Sequence, residues 1–168
     1  LAHVPEDRQR MGLITDFKAN ENLIFGYHHQ PPFSRSSVLI EDKILDYSQK
    51  VMQDYDVRPQ APELITSNFS GGNQQKIILS RELNKNPKIL LVGQPTRGVD
   101  IGAIEFIHQR LIDMRDKGVA ILLVSVELEE VLSLSDRIVV MFDGKIVGEK
   151  NNQGVTDREI GLLMAGIS

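Results

Sequence analysis

Ile40, Ile44, Tyr47, Val51, Met52 and Tyr55 recur at helical spacing between Ser36 and Val57, which predicts one amphipathic helix with Ser36 or Ser37 as its cap. Prolines bracket it: Pro31-Pro32 breaks the chain before, and Pro59 with Pro62 breaks it after. Residues up to about 68 therefore read as a mostly helical subdomain. Beyond them the pattern changes. Lys88 to Val92, Ala120 to Val124 and Arg137 to Phe142 are short apolar runs of the buried-strand kind, and they alternate with helical stretches. Such alternation predicts a parallel α/β sheet. Between the first two runs, Ile104, Ile107, Leu111 and Met114 form one helical stripe, with Gly118 where a left-handed C-cap is needed. After the third run, Asp143-Gly144 predicts a two-residue hairpin turn. Thr156 with Glu159 predicts a capping box that opens a last helix. At the other end, Leu1 to Val4 read as the tail of a strand entering a turn at Pro5, the look of a piece of a longer polypeptide.

Composition narrows the classes. The 168 residues are 41 % apolar and 25 % charged, the balance of an ordinary globular domain and not of a disordered or fibrous chain. The net charge is -4 with Lys and Arg scattered, so no basic face suggests nucleic acid as a partner. Without cysteine there are no disulfides and no thiolate metal sites, which fits a reducing compartment. No run approaches the roughly 20 apolar residues that a spanning helix needs. His28-His29 could suggest metal, but adjacent side chains diverge and no carboxylate partner is spaced to join them, so a solvated loop and no metal site is expected. Glu127, Glu129 and Glu130 read as an acidic helix start.

Two segments carry candidate chemistry. In Phe69-Ser70-Gly71-Gly72-Asn73-Gln74-Gln75-Lys76, a hydroxyl and two glycines open a helix, and unpaired amides at a helix start attract phosphate. The plainer reading is a serine N-cap followed by flexible glycines. In Leu90-Leu91-Val92-Gly93-Gln94-Pro95-Thr96, an apolar strand empties into a polar turn, as at the carboxyl edge of a parallel sheet where ligands bind. Here the plainer reading makes Gly93 a turn residue, Gln94 a solvated amide and, further on, Val126 part of the core.

The first segment resembles the signature motif of ATP-binding cassette ATPases, in the form found in the second cassette of monosaccharide and nucleoside importers. Four further segments fall in the family's order. Val4 to Arg8 resembles the Q-loop region, Leu90 to Thr96 the Walker B segment, Gly98-Val99-Asp100 the D-loop, and Leu123 to Glu127 the switch region. Gln94 to Glu105 looks closest to the nucleoside branch. The resemblance implies an α/β fold, a partial P-loop NTPase sheet with a helical signature subdomain. Its parts would be 1–14 (end of a core strand and Q-loop region), 15–68 (helical subdomain) and 69–168 (signature helix, Walker B, D-loop and switch part of the core).

The departures from the family are informative. No G-x-x-x-x-G-K-S/T loop occurs in the 168 residues. Where the family has a metal-supporting Asp and a water-polarising Glu, this chain has Gly93 and Gln94; glycine brings no side-chain oxygen, and a glutamine can orient water without accepting its proton. Val126 replaces the switch His, and Glu6 replaces the Q-loop Gln, setting a carboxylate near any γ-phosphate.

The resemblance then implies that Ser70, Gly71, Gly72, Asn73 and Gln74 complete, in trans, an ATP site held by a partner cassette, with Asp100 at the D-loop. This chain's own site (Glu6, Gly93, Gln94, Val126) is degenerate, Gln94 keeping at most a water-orienting role. ATP with Mg²⁺ would be shared with that partner, the first cassette of the same polypeptide, and the 168 residues alone would be inactive. Membrane permease subunits would be direct partners and a solute-binding protein an indirect one, at the cytoplasmic face of the plasma membrane. A noncatalytic regulatory or scaffold module is the alternative. DNA-repair ATPases with a similar signature are disfavoured by the missing coiled-coil insertion and basic face. A central strand supplied from outside these residues would leave open edges, so self-association, visible by light scattering, is expected of the chain alone.

Overall fold

The computed structural model describes residues 1–167. The chain divides into two compact units, Leu1–Leu122 and the residues from Leu123 on. In the first, β1 (Ala2–Val4) leads to a π-helical turn (Arg8–Gly12), then α1 (Ala19–Ile24). A hairpin of β2 (Ser34–Arg35) and β3 (Val38–Leu39) precedes α2 (Glu41–Asp54). A short 3-10 turn (Thr66–Asn68) leads to α3 (Gly71–Leu83), followed by β4 (Ile89–Gly93), α4 (Ile101–Asp116) and β5 (Ala120–Val124), within which the unit ends.

The sheet has the order β1-β4-β5, and β1 runs parallel to β4 with Val4 opposite Val92 and Ala2 opposite Leu90. All four of these residues are buried. Helix α3 packs on β1, α1 and α4, and it is buried on nearly every face, with Ile77, Ile78 and Leu79 wholly enclosed. A helix so placed must also bury polar groups, and it does so with partners. Arg81 donates from Nη2 to Gly12 O (2.8 Å), from Nη1 to Asn22 O (3.4 Å) and from Nε to Glu82 Oε1 (2.9 Å). Glu82 also accepts from Lys85 Nζ (2.8 Å) and from the His3 amide (3.3 Å). Asn22, wholly buried, brackets Ile14 through both its amide and its carbonyl and donates to Thr66 Oγ1 (2.9 Å). These bonds lock α3 to the π-helical turn, to α1 and to β1 at once.

Three expectations need correction. Ser36 and Ser37 do not cap a helix: with φ of 50° and 65° they form the turn between β2 and β3. The helix starts later, at Glu41, with Ile40 before it and no side-chain cap. Residues 15–68 thus carry α1 and α2 with a small hairpin between them. Secondly, the run Arg137–Phe142 (β6) is not a member of a parallel sheet; it pairs antiparallel with β7 (Lys145–Asn151) in a two-stranded sheet. Nor is β5 a buried strand, since Leu122 and Val124 are 62 % and 52 % exposed.

The second unit contains α5 (Leu128–Leu134), β6, β7 and α6 (Asp157–Met164). Ile138, Val140 and Ile160 form its core, flanked by Val131, Leu132 and Leu163. The expected hairpin turn is present, with φ of 47° at Asp143 and 71° at Gly144. So is the capping box, in which Thr156 Oγ1 accepts from the Glu159 amide (3.3 Å) and Glu159 Oε2 from the Thr156 amide (2.9 Å). Among the described residues no helix is long and apolar enough to cross a membrane.

Candidate functional site

The head of α3 is built from the loop before it. Phe69 is buried and anchors the approach. Ser70 takes an extended conformation as N-cap, and its Oγ accepts from the Asn73 amide (3.4 Å) and from Asn73 Nδ2 (2.9 Å). Asn73 Oδ1 accepts in turn from the Arg58 amide (2.7 Å), which ties the head to the loop after α2. Gln74 points inward and donates to Thr66 O and Phe69 O, both at 3.2 Å, while Gln9 Nε2 donates to its Oε1 (3.4 Å). The capping alternative is therefore true of Ser70, and it coexists with an exposed serine and a glycine pair at the start of a 13-residue helix. Amides in that first turn have no intrahelical acceptor and carry the positive end of the dipole.

Both glycines have close neighbours. A Cβ on Gly71 would lie 2.6 Å from Arg8 Nη2 and 3.0 Å from Gly98 O. One on Gly72 would lie 2.9 Å from both Ala103 Cβ and Asp100 Oδ2. Beside them a cleft of about 350 Å³ opens, lined by Arg58, Asn73 and Lys76 and by the start of α4 at Asp100, Gly102 and Ala103. Asp100 caps α4 through the Ala103 amide (2.9 Å). Two helix starts thus meet at one cleft. Asp56 supplies balancing charge: hydrogen bonding to Arg58 Nε (2.7 Å), against a small burial effect, and Lys76 Nζ (3.3 Å) hold its carboxyl below the usual range.

The exit of β4 is different. Gly93 is its last residue, and a Cβ there would stand 3.2 Å from the Glu6 amide nitrogen. Gln94 has φ of +46°, a left-handed conformation unusual for glutamine, and its carbonyl accepts from the Arg97 amide (3.2 Å) to form the turn. Glu6 is not a lone charge: its Oε1 pairs with Arg97 Nη1 at 2.6 Å. Arg8 reaches the same turn, donating to Arg97 O (2.7 Å) and Gly98 O (3.2 Å). Gly93, Gln94 and Glu6 are thus brought together, and Gly72 and Asn73 meet Asp100 at the cleft, whereas Ser70 and Gly71 do not line it and Gln74 turns inward. Val126 belongs to the second unit; it is 65 % exposed, so the reading that makes it core fails.

Sequence reasoning missed Arg8, Arg97 and the Asp56-Arg58-Lys76 group. The only signal for them was polar residues close to the singled-out segments, which says nothing of what a long side chain will reach.

No family model matches the chain. It is 45 % identical over 166 residues to the guanosine import ATP-binding protein of Bacillus subtilis, covering 99 % of this chain and 32 % of that protein. It is 46 % identical over 166 residues to a nucleoside import ATP-binding protein of Lactococcus lactis, covering 99 % and 33 %. A ribose import ATP-binding protein of Oceanobacillus iheyensis is 34 % identical over 166 residues, again 99 % and 33 %. The chain thus spans about a third of the length of these relatives. Among solved structures, a dimeric ATP-binding cassette in a post-hydrolysis state with ADP and Pi superposes with a TM-score of 0.69 at 23 % identity, over 92 % of this chain and 63 % of that one. The ADP conformation of another transporter cassette gives 0.67 at 22 %, over 98 % and 65 %. The chain has the fold of an ATP-binding cassette ATPase and is, along nearly its whole length, similar in sequence to import ATP-binding proteins of the nucleoside and sugar type.

Proposed function

We propose that these residues belong to the ATP-binding subunit of an importer of nucleosides or simple sugars, and that their part is to lend the head of α3 to ATP held mainly by another cassette. The observation that carries this is the contrast inside one unit: an exposed Ser70 over glycine amides at a helix start, and a β4 that ends in Gly93 and is followed by Gln94, with neither acid nor base at those two positions. The first fits a phosphate through backbone donors. The second does not fit a metal-nucleotide, because Gly93 offers no side-chain oxygen and Gln94 no proton acceptor at neutral pH. ATP and Mg²⁺ would therefore be held by the partner, the first cassette of the same polypeptide. Gly71, Gly72 and the Ser70 hydroxyl would steady charge developing on the γ-phosphoryl group, with Asp100 keeping the start of α4 against them.

The identities of 45 % and 46 % to guanosine and nucleoside import proteins, against 34 % to a ribose import protein, support a nucleoside as solute. Membrane subunits would meet residues 15–64. An apolar groove of about 320 Å³ there is floored by Phe17, Ile24, Phe25 and Leu39, and Met11 is exposed beside the π-helical turn. A solute-binding protein would act through those subunits, at the cytoplasmic face of the plasma membrane. Exposed Leu122 and Val124 support self-association of the chain alone.

The deciding experiment is Ser70→Arg in the complete polypeptide with its membrane subunits. Loss of donors that face a transition state costs on the order of 10²-fold in turnover, and a loss of that size in ATPase rate and in uptake is expected. Retention of both rates overturns the reading.

A further inference from the structure

One side chain touches three of the segments discussed above. Arg8 opens the π-helical turn, whose start is fixed by Asp7 Oδ1 accepting from the Gln9 and Arg10 amides (3.1 and 3.0 Å). Its guanidinium spans the carbonyls of Arg97 and Gly98, just ahead of Asp100, and its Nη2 fills the space that a side chain at position 71 would take. Gly98 turns its carbonyl toward it with φ of +65°. Arg8 Nε, meanwhile, is buried with no acceptor. The two carbonyl contacts fix the pose of the side chain. The Glu6-Arg97 pair is a second strut on the exposed side of the same turn.

The geometry points to Arg8 as a positioning residue that sets the spacing between the head of α3 and the turn leading into α4. The glycine at 71 is then part of the same device, since it leaves room for the guanidinium. A planar fork suits this task, because it holds two carbonyls in fixed relation where an ammonium holds one. This rests on the reading that the head of α3 serves an ATP site, for only then does the spacing matter to turnover.

Amide exchange on the chain tests the placement. Hydrogen bonds from a charged donor contribute enough that losing two speeds local opening about tenfold or more. Arg8→Gln should therefore raise exchange at 97–103 and 70–73 while leaving the β6-β7 amides unchanged, and Arg8→Lys should recover part of the protection. Gly71→Ala, which expels the guanidinium, should match Arg8→Gln, and the double variant should be no worse than either. Unchanged exchange in Arg8→Gln, or effects that multiply in the double variant, overturns the proposal. In the complete polypeptide, Arg8→Gln should lower kcat for ATP with little change in KM. If Ser70→Arg is damaging and Arg8→Gln is not, the Arg8 proposal fails. If Ser70→Arg is itself harmless, the reading of the α3 head fails instead.

Discussion

The head of α3 and the exit of β4 lie in one unit, and both were expected to face nucleotide, yet they are built on opposite principles. At the α3 head the useful groups are backbone amides, so what the sequence must supply is access and support: glycines where neighbours approach within 3 Å, a capping serine, and a helix fixed from behind. At the β4 exit the chemistry needs carboxylates at the strand's own end, and Gly93 and Gln94 bring none. A Cβ at Gly93 would stand 3.2 Å from the Glu6 amide nitrogen, so a carboxylate introduced there needs that backbone to give by a few tenths of an ångström. A surface made of backbone can thus stay intact while side-chain chemistry beside it is lost.

The largest break in this comparison, after Ser70→Arg, comes from undermining the support of α3. Arg81 and Glu82 are each 7 % exposed as side chains, and Glu82→Gln leaves the Arg81 guanidinium buried without its counter-charge. Removing one partner of such a pair costs about 3–5 kcal/mol. Burial by itself pushes the Glu82 carboxyl up, but the hydrogen bonds and charges of Lys85 and Arg81 outweigh it and hold the group below its ordinary value. A lowered folded-state pKa means stability that is present above the ordinary carboxylate range, about 4.3, and lost as pH falls through the lowered value. Urea unfolding of the wild type and Glu82→Gln should differ most near neutrality and converge in acid. A gap that does not depend on pH would contradict this account of how α3 is held.

Gly72→Ala sharpens the contrast at smaller scale. The new methyl would press on the buried Ala103 Cβ and on the Asp100 carboxylate, which is held by the Ala103 amide, and overpacking of this kind costs about 1–3 kcal/mol. Gly71→Ala meets the tip of the Arg8 side chain at 2.6 Å and Gly98 O at 3.0 Å; a side-chain tip can be displaced toward solvent where a buried methyl cannot, so this variant should cost less. Equal denaturation midpoints for the two variants would show that the glycines are not set apart by what they touch.

Legibility followed locality. The Asp143-Gly144 turn, the Thr156-Glu159 box, the Ser70 cap and the α4 stripe ending at Gly118 are each fixed by residues within a few positions of one another, and the structure has them. The β2-β3 hairpin was hidden because strands of two residues carry no periodicity, and Ser36-Ser37 is not a usual left-handed turn pair. An apolar run such as Arg137–Phe142 announces a strand without announcing its neighbour, which is why β6 was given to the wrong sheet. The candidate site was legible where motif spacing reports backbone placement, as with Ser70 to Asn73 and Gly93-Gln94. It was not legible at Arg8, whose partners lie 89 and 90 residues away and are carbonyls, which any residue type could present.

The smallest effect is expected at Glu6. Its ion pair with Arg97 is exposed on both sides, 52 % and 70 %, and pairs of that kind contribute about 0–1 kcal/mol, less at high salt. Glu6→Gln should therefore leave the melting curve nearly unmoved. Its value is in separating two reasons for a degenerate site. If repulsion between Glu6 and phosphate were what disables the β4 exit, neutralising the carboxylate would create measurable binding of MgATP by the chain. With Arg97 already 2.6 Å away, the charge is largely compensated, and the missing carboxylates at Gly93 and Gln94 are the stronger cause. Calorimetric titration of Glu6→Gln with MgATP should then show no new binding. Tight binding would move the defect from the end of β4 to the charge at Glu6.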